Sequence, residues 1–238
     1  GVQTCALPIS LLTVSSSGLY CPKADVYLDP WKPVERALIT HAHSDHARPG
    51  SKSYLCHATT VPLILARLGT SSEQVQGVRY GEAIVINGVR FSFFPAGHVP
   101  GSAQILAESD GERWVFSGDY KTEHDGVSDP FEAVRCDVFI SECTFGLPVF
   151  AWRPQSEVFA ELHAWWGKNR DEGVNSVVSA YALGKAQRLL RHIDRSVGRV
   201  VVHSAVWAMC EALGFEMSGL ERATTETRAE GADRRAHV

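Results

Sequence analysis

The sequence predicts an α/β protein whose first part is a largely antiparallel sheet with few helices and whose second part alternates strands with helices. Three observations predict it. Short runs rich in β-branched and aromatic residues, punctuated by Gly, Asn and Asp, dominate residues 26–117. From residue 138 onward, apolar runs of strand length alternate with segments of helical period, the pattern of a parallel βαβ unit. Of 238 residues 45% are hydrophobic and 21% charged, enough to bury a core and unlike collagen-like, low-complexity or wholly disordered chains.

The elements follow in order. Strands are expected at 26–28, 37–40, 83–86, 89–94, 104–107 and 114–117, with Asn87-Gly88 and Asp110-Gly111 as hairpin turns because both dipeptides tolerate positive φ. One helix is expected at 60–68, started by Thr59 or Thr60 and ended by Gly69. A strand at 138–140 then precedes a helix at 156–168, a strand at 176–180, a helix at 184–193, a strand at 200–202 and a helix at 205–213. The composition shift at 145–154 marks a domain boundary.

Lys and Arg number 23 against 27 Asp and Glu, a formal charge of -4, so any nucleic-acid contact has to be local. Six cysteines occur at 5, 21, 56, 136, 143 and 210 with no CxxC pair, which argues against a thiolate zinc ribbon or a disulfide framework and favours buried thiols in a reducing cytoplasm. No stretch has the roughly 18 uninterrupted apolar residues of a membrane span. Residues 1–9 resemble translated sequencing adapter and are set apart from the fold. A secretory leader is the competing reading, but no basic stretch precedes it and Pro8 interrupts it. From about Ser218, within a stretch at 215–238 assigned to no domain, the pattern turns to Glu, Arg, Thr and Ala and reads as a solvated tail or a helix lacking its partner.

The strongest chemical signal is His41-Ala42-His43-Ser44-Asp45-His46, directly after an apolar strand. On an extended strand end, positions 41, 43 and 45 project to one side, and His46 joins them as the chain turns. Imidazole with carboxylate and no thiolate suits zinc or a similar first-row ion. His98, in a Gly97-to-Gly101 turn, and Asp119, after Gly118, also stand at strand ends beside glycines. Either one alone reads more readily as a turn residue.

Together, the order HxHxDH, AGHxxGSA, SGDY resembles the metallo-β-lactamase superfamily. The resemblance implies an α/β, αββα sandwich over residues 10–147 with a dinuclear metal site. His41, His43 and His98 would hold one divalent ion, Asp45 and His46 the second, and Asp119 would bridge them. Zinc is the first choice and manganese the second. Such a pair of cations activates a hydroxide and stabilises the departing oxygen. Ile140-Ser141-Glu142-Cys143-Thr144-Phe145-Gly146, Tyr181-Ala182-Leu183-Gly184-Lys185-Ala186-Gln187-Arg188-Leu189-Leu190 and Val201-Val202-His203 are similar to motifs of the β-CASP nucleases. Residues 148–214 would then be part of a β-CASP-like βαβ domain. The resemblance makes Asp45, Glu142 and His203 the catalytic candidates, with Glu142 holding His203 as the acid that protonates the leaving oxygen. Lys185, Arg188 and Arg191 are candidates for tracking nucleic-acid phosphates, although a basic helical face is often only solvated. Asp29, before Pro30, either supports the metal shell from behind or simply makes a turn.

The first-part motifs with YALGKAQRLL look most like bacterial ligase-associated DNA exonucleases, close to mRNA 3′-end processing nucleases. That implies a cytoplasmic exonuclease acting on DNA rather than RNA, beside an ATP-dependent DNA ligase and a helicase in repair. The alternatives are an RNA 3′-end processing nuclease, a small-ester or thioester hydrolase of the same superfamily, and an inactive fragment. One further His motif expected beyond the β-CASP segment has no counterpart after Ala208, and His237 lacks its context. The resemblance therefore implies a chain short of one ligand and of its last strands.

Overall fold

In the computed structural model, which describes residues 10–224, two sheets face each other in the first part of the chain. The first holds β1 (Thr13–Ser15), β2 (Gly18–Cys21), β3 (Val26–Leu28), β4 (Arg36–Ile39), β5 (Ser53–His57) and β6 (Val75–Val78) in that spatial order. The second holds β7 (Ala83–Ile86), β8 (Val89–Pro95), β9 (Ala103–Ser109), β10 (Glu112–Phe116) and β11 (Val138–Ile140) as an ordered meander. Leu28, Leu38, Leu55 and Val78 from the first sheet pack with Phe91, Phe93, Ile105 and Ala107 from the second in one buried cluster. This is a mixed α/β, metallo-β-lactamase-like fold.

The second sheet is antiparallel as expected except for β11, which runs parallel to β10. Asn87 and Asp110 take φ of 48° and 53°, the left-handed conformation a two-residue hairpin turn requires. The first sheet departs from expectation, because β3 to β6 are parallel and β5 and β6 carry no strand signal in the sequence. Four of the five β5 residues are buried, so the strand has no polar face to create alternation. Helix α1 (Thr60–Leu68) packs on β5 and β6 and ends at Gly69, as its sequence predicts.

The chain divides into two compact units, Gly1–Glu142 and Cys143–Val238. In the second, α2 (Gln155–Asp171), α3 (Lys185–His192) and α4 (Ser204–Leu213) accompany a parallel pair, β12 (Val200–Val202) and β13 (Leu220–Arg222). Strand β12, helix α4 and strand β13 make a parallel βαβ unit, though not the one expected, which used 176–180 as a strand. Two expectations are corrected here. Residues 176–180 pair with no strand among the described residues and are mostly exposed, because β propensity forms a strand only where a partner supplies hydrogen bonds. Residues 220–222, expected in a solvated tail, form β13, whose Leu220 is buried with Leu190, Val202 and Cys210. Residues 1–9, Cys5 and His237 lie outside the described residues.

Candidate metal centre

Three strand ends build the cluster. β4 delivers Thr40 and the 41–46 loop, β8 delivers the turn holding His98, and β10 delivers Asp119. The turns interlock: Ala103 N–H donates to Thr40 carbonyl and Lys121 N–H to Ala96 carbonyl, at 2.8 and 2.9 Å. Gly118, at φ 54°, lies against Thr40, where a Cβ would sit 2.6 Å from its hydroxyl. Gly97, at φ 75°, would place a Cβ 2.1 Å from Lys121 carbonyl oxygen. Gly97→Ala should therefore cost clearly more than the roughly 1–2 kcal/mol of left-handed strain alone. Gly69→Ala, at φ 62° with open space around it, isolates that strain as a control. Urea melts of the two variants test the difference, and equal losses would contradict the interlock.

His41, His43, His98 and Asp119 each bring a ligand atom within 4.8 Å of the others. His43 Nδ1 lies 3.1 Å from His41 Nε2 and 3.3 Å from His98 Nε2. Asp119 Oδ2 is 3.9 Å from His41 Nε2 and 3.5 Å from His98 Nε2. A tetrahedral zinc with ligands at about 2.0–2.1 Å has ligand–ligand edges of about 3.3–3.4 Å, so the spacing of these lone pairs fits a bound ion. The other oxygen, Asp119 Oδ1, is 3.2 Å from His46 Nε2, which in turn lies 3.6 Å from Asp45 Oδ2. Asp119 thus faces both the His41, His43, His98 group and the Asp45, His46 pair. Asp45 is the open member, its side chain 70% exposed, whereas His41 is fully buried.

Asp29 fixes the donors from behind. Its carboxylate accepts Thr40 N–H at 2.8 Å, the Thr40 hydroxyl at 2.5 Å and His46 Nδ1–H at 2.7 Å. Because the Thr40 hydroxyl proton goes to Asp29, its oxygen accepts from His41 Nδ1 at 3.1 Å. His41 therefore carries its proton on Nδ1 and turns an Nε2 lone pair toward the cluster, an orientation typical of metal-bound histidine, whereas His46 points Nε2 at Asp119 and offers a lone pair there only after losing the Nε2 proton. Asp29 was open to two readings in the sequence, and its bonding is that of a supporting carboxylate.

The protonation states suit a cation. Burial, then the neighbouring His46, His43 and His98, hold His41 well below the ordinary imidazole value. Burial and His43 push His98 down to about 4. Burial acts to lower His46 as well, but hydrogen bonds to Asp119 and Asp29 outweigh it and raise it to about 10. Burial would raise Asp119, and the bond from His46 reverses that and lowers it. Neutral His41 and His98 beside an ionised Asp119 form a donor set for a divalent ion, while His46 has to release a proton before it can join one.

The remaining candidates lie elsewhere in the chain. Glu142 follows β11, and His203 caps α4, its Nδ1 accepting from Ala205 N–H at 3.1 Å, so a neutral His203 carries its proton on Nε2. Lys185 sits over the Tyr181 ring at 4.5 Å, and Arg188 Nε donates to Gln155 at 2.5 Å. Arg191 is exposed. The next basic residues along the chain, Arg195 and Arg199, do not extend the basic face. Helix α3 ends at His192, Arg195 bonds Ser218 carbonyl, and Arg199 pairs with Glu221. The ALGKAQ segment also has a structural use that the sequence did not disclose. Gln187 is fully buried, accepts Gly184 N–H at 2.7 Å and donates to Ala182 carbonyl and Cys210 sulfur, closing the start of α3.

The chain thus combines a metallo-β-lactamase-like fold with a His/Asp cluster able to hold a metal ion. No family model matches the chain. It is 34% identical over 193 residues to the protein named Probable DNA ligase of Opitutus terrae, covering 79% of this chain and 18% of that one. It is 33% identical over 203 residues to Endoribonuclease ysh-1 of Neurospora crassa, covering 70% of this chain and 24% of that one. A crystallised protein of unknown function from Enterococcus faecalis matches the fold with a TM-score of 0.50 at 16% identity, over 76% of this chain and 49% of that one. The chain thus spans less than a quarter of either curated relative's length.

Proposed function

We propose that this chain is part of a metal-dependent nuclease of the β-CASP branch of the metallo-β-lactamase superfamily, hydrolysing phosphodiester bonds of nucleic acid. The observation that carries it is the meeting of His41, His43, His98 and Asp119 at three strand ends with lone pairs at ion-binding spacing. Residues 10–147 are assigned to the metal-binding domain and 148–214 to part of the β-CASP domain. Two divalent ions, zinc before manganese, would be held by His41, His43 and His98, by Asp45 and His46, and by Asp119 between them. When bound, such ions supply a nucleophile from water at neutral pH and offset charge on the leaving oxygen.

The protein's own groups do the rest. Asp29 and Thr40 fix the imidazole tautomers, and Asp119 divides its two oxygens between the two donor sets. Asp45, the most exposed carboxylate of the set, stands where solvent and substrate enter. His203 would protonate the departing oxygen as the imidazolium, returning to neutral imidazole, which requires Nδ1 to leave Ala205 N–H and donate to Glu142 as its supporting carboxylate. Lys185, Arg188 and Arg191 would follow the phosphate backbone.

The ligase-named relative supports DNA as substrate and work beside a DNA ligase, and the motif resemblance extends this to exonucleolytic action with an ATP-dependent ligase and a helicase in the cytoplasm. The endoribonuclease relative supports RNA as the substrate of the second reading, 3′-end processing, which the motif resemblance supplies. Among the described residues, no helix is long and apolar enough to cross a membrane. Incubating the full chain with end-labelled DNA and RNA, with and without zinc or manganese, tests the proposal. Metal-dependent release of nucleotides that His43→Ala abolishes is expected. Cleavage indifferent to His43→Ala, or thioester turnover without nucleotide release, would overturn it.

A further inference from the structure

Helix α1 buries Thr60, Leu63 and Ile64, and the next position on that face is Arg67. A guanidinium on a core-facing stripe needs a reason, since arginine is seldom placed there unpaired. Here Arg67 reaches the metal loop and donates through one terminal nitrogen to the carbonyl of Ala42, the residue between His41 and His43. It lies within electrostatic reach of His41 and Asp45. Among the described residues, no carboxylate is within ion-pair distance of it.

The other cations near the cluster are held differently. Lys121 is bound by the buried carboxylate of Asp125. Arg48 rests on the carbonyls of Asp45 and Trp31 at 3.4 Å each. A guanidinium has five N–H groups in a fixed fork, and anchoring one of them orients the others without using them up. Two divalent ions would already outweigh the charges of Asp45 and Asp119, so what Arg67 adds is directed hydrogen bonding rather than net charge.

We propose that Arg67 is a substrate-binding residue, donating its unanchored N–H groups to the non-bridging oxygens of the phosphodiester that lies against the metal cluster. This rests on the nuclease reading above. A planar fork matches two phosphate oxygens, and a guanidinium already held by Ala42 loses little freedom when it engages them. Lysine would keep the charge and lose the paired geometry.

The test compares the parent chain, Arg67→Gln and Arg67→Lys, all loaded with zinc, on a short end-labelled single-stranded oligonucleotide over a range of salt concentrations. Arg67→Gln is expected to raise KM about tenfold or more, with a much smaller change in kcat and bound zinc equal to the parent's. Its salt dependence should flatten by about 0.7 in log–log slope, the loss of one phosphate contact. Arg67→Lys should keep the parent's slope with an intermediate KM. An unchanged KM and slope in Arg67→Gln would overturn the proposal, as would loss of zinc in step with activity, which marks a purely structural arginine. If the parent cuts no phosphodiester, the nuclease reading falls by itself. Fluorescence anisotropy of the same oligonucleotide then decides for Arg67: weaker binding by Arg67→Gln supports the contact and equal binding refutes it.

Discussion

Asp119→Asn is expected to weaken metal binding by more than about 100-fold, the upper end of what losing a supporting partner around a metal costs. The substitution keeps the side chain's shape, so the β10 turn should survive. What disappears is the negative charge shared between Oδ2, facing His41 and His98, and Oδ1, 3.2 Å from His46. Neutral imidazoles alone offer a divalent ion no charge compensation in a site where His41 is fully buried and His98 and Asp119 are largely so. Titrating zinc into metal-free parent and variant measures the change. Affinity within a few-fold of the parent would mean that Asp119 does not ligate.

Asp29→Ala is expected to damage stability and metal affinity together. One carboxylate accepts from Thr40 N–H, the Thr40 hydroxyl and His46 Nδ1. Removing it leaves three polar groups without their acceptor, of which the two on Thr40 are buried, each at roughly 1–3 kcal/mol. A loss of about 3 kcal/mol or more in urea unfolding follows. Metal affinity should fall by roughly 10–100-fold, because His41 and His46 lose the bonds that fix their tautomers. Asp29→Asn keeps one acceptor oxygen and should recover part of the stability while leaving metal binding impaired. A variant that unfolds like the parent and binds zinc equally would show that Asp29 merely makes a turn.

Much of the site was legible because its chemistry is written in consecutive residues. His41, His43, Asp45 and His46 sit at one strand end, where the two-residue period already gathers them. His98 and Asp119 carried weak local signals, and only their order relative to the first motif pointed to one cluster. The supporting residues were harder to see. Thr40 looks like the last residue of an apolar strand, and its part in orienting His41 depends on a proton passed to Asp29, eleven residues away. Arg67 reads as the basic end of a helix, and only its position on the buried face, under Ala42, sets it apart.

The fold divides in the same way. Hairpins with Asn-Gly or Asp-Gly turns were plain because the turn chemistry is local. The parallel strands β5 and β6 were hidden, since the pairings of β4 with β5 and of β5 with β6 come from crossovers and β5 is buried on both faces. The error at 176–180 is the converse: Val177 and Val178 favour extended backbone, yet both remain exposed. Gln187 shows a further limit, because a motif that marks a family can be retained for a helix start rather than for chemistry at a reacting bond.

The central claim is that His41, His43, His98 and Asp119 hold a metal ion. The most direct measurement is the number of zinc ions retained per chain, by native mass spectrometry, in the zinc-loaded parent and in a variant with His41, His43 and His98 all replaced by alanine. The account predicts at least one ion per parent chain and loss of the ion coordinated by these histidines from the variant. Equal zinc in the two proteins, or none in the parent, would contradict it.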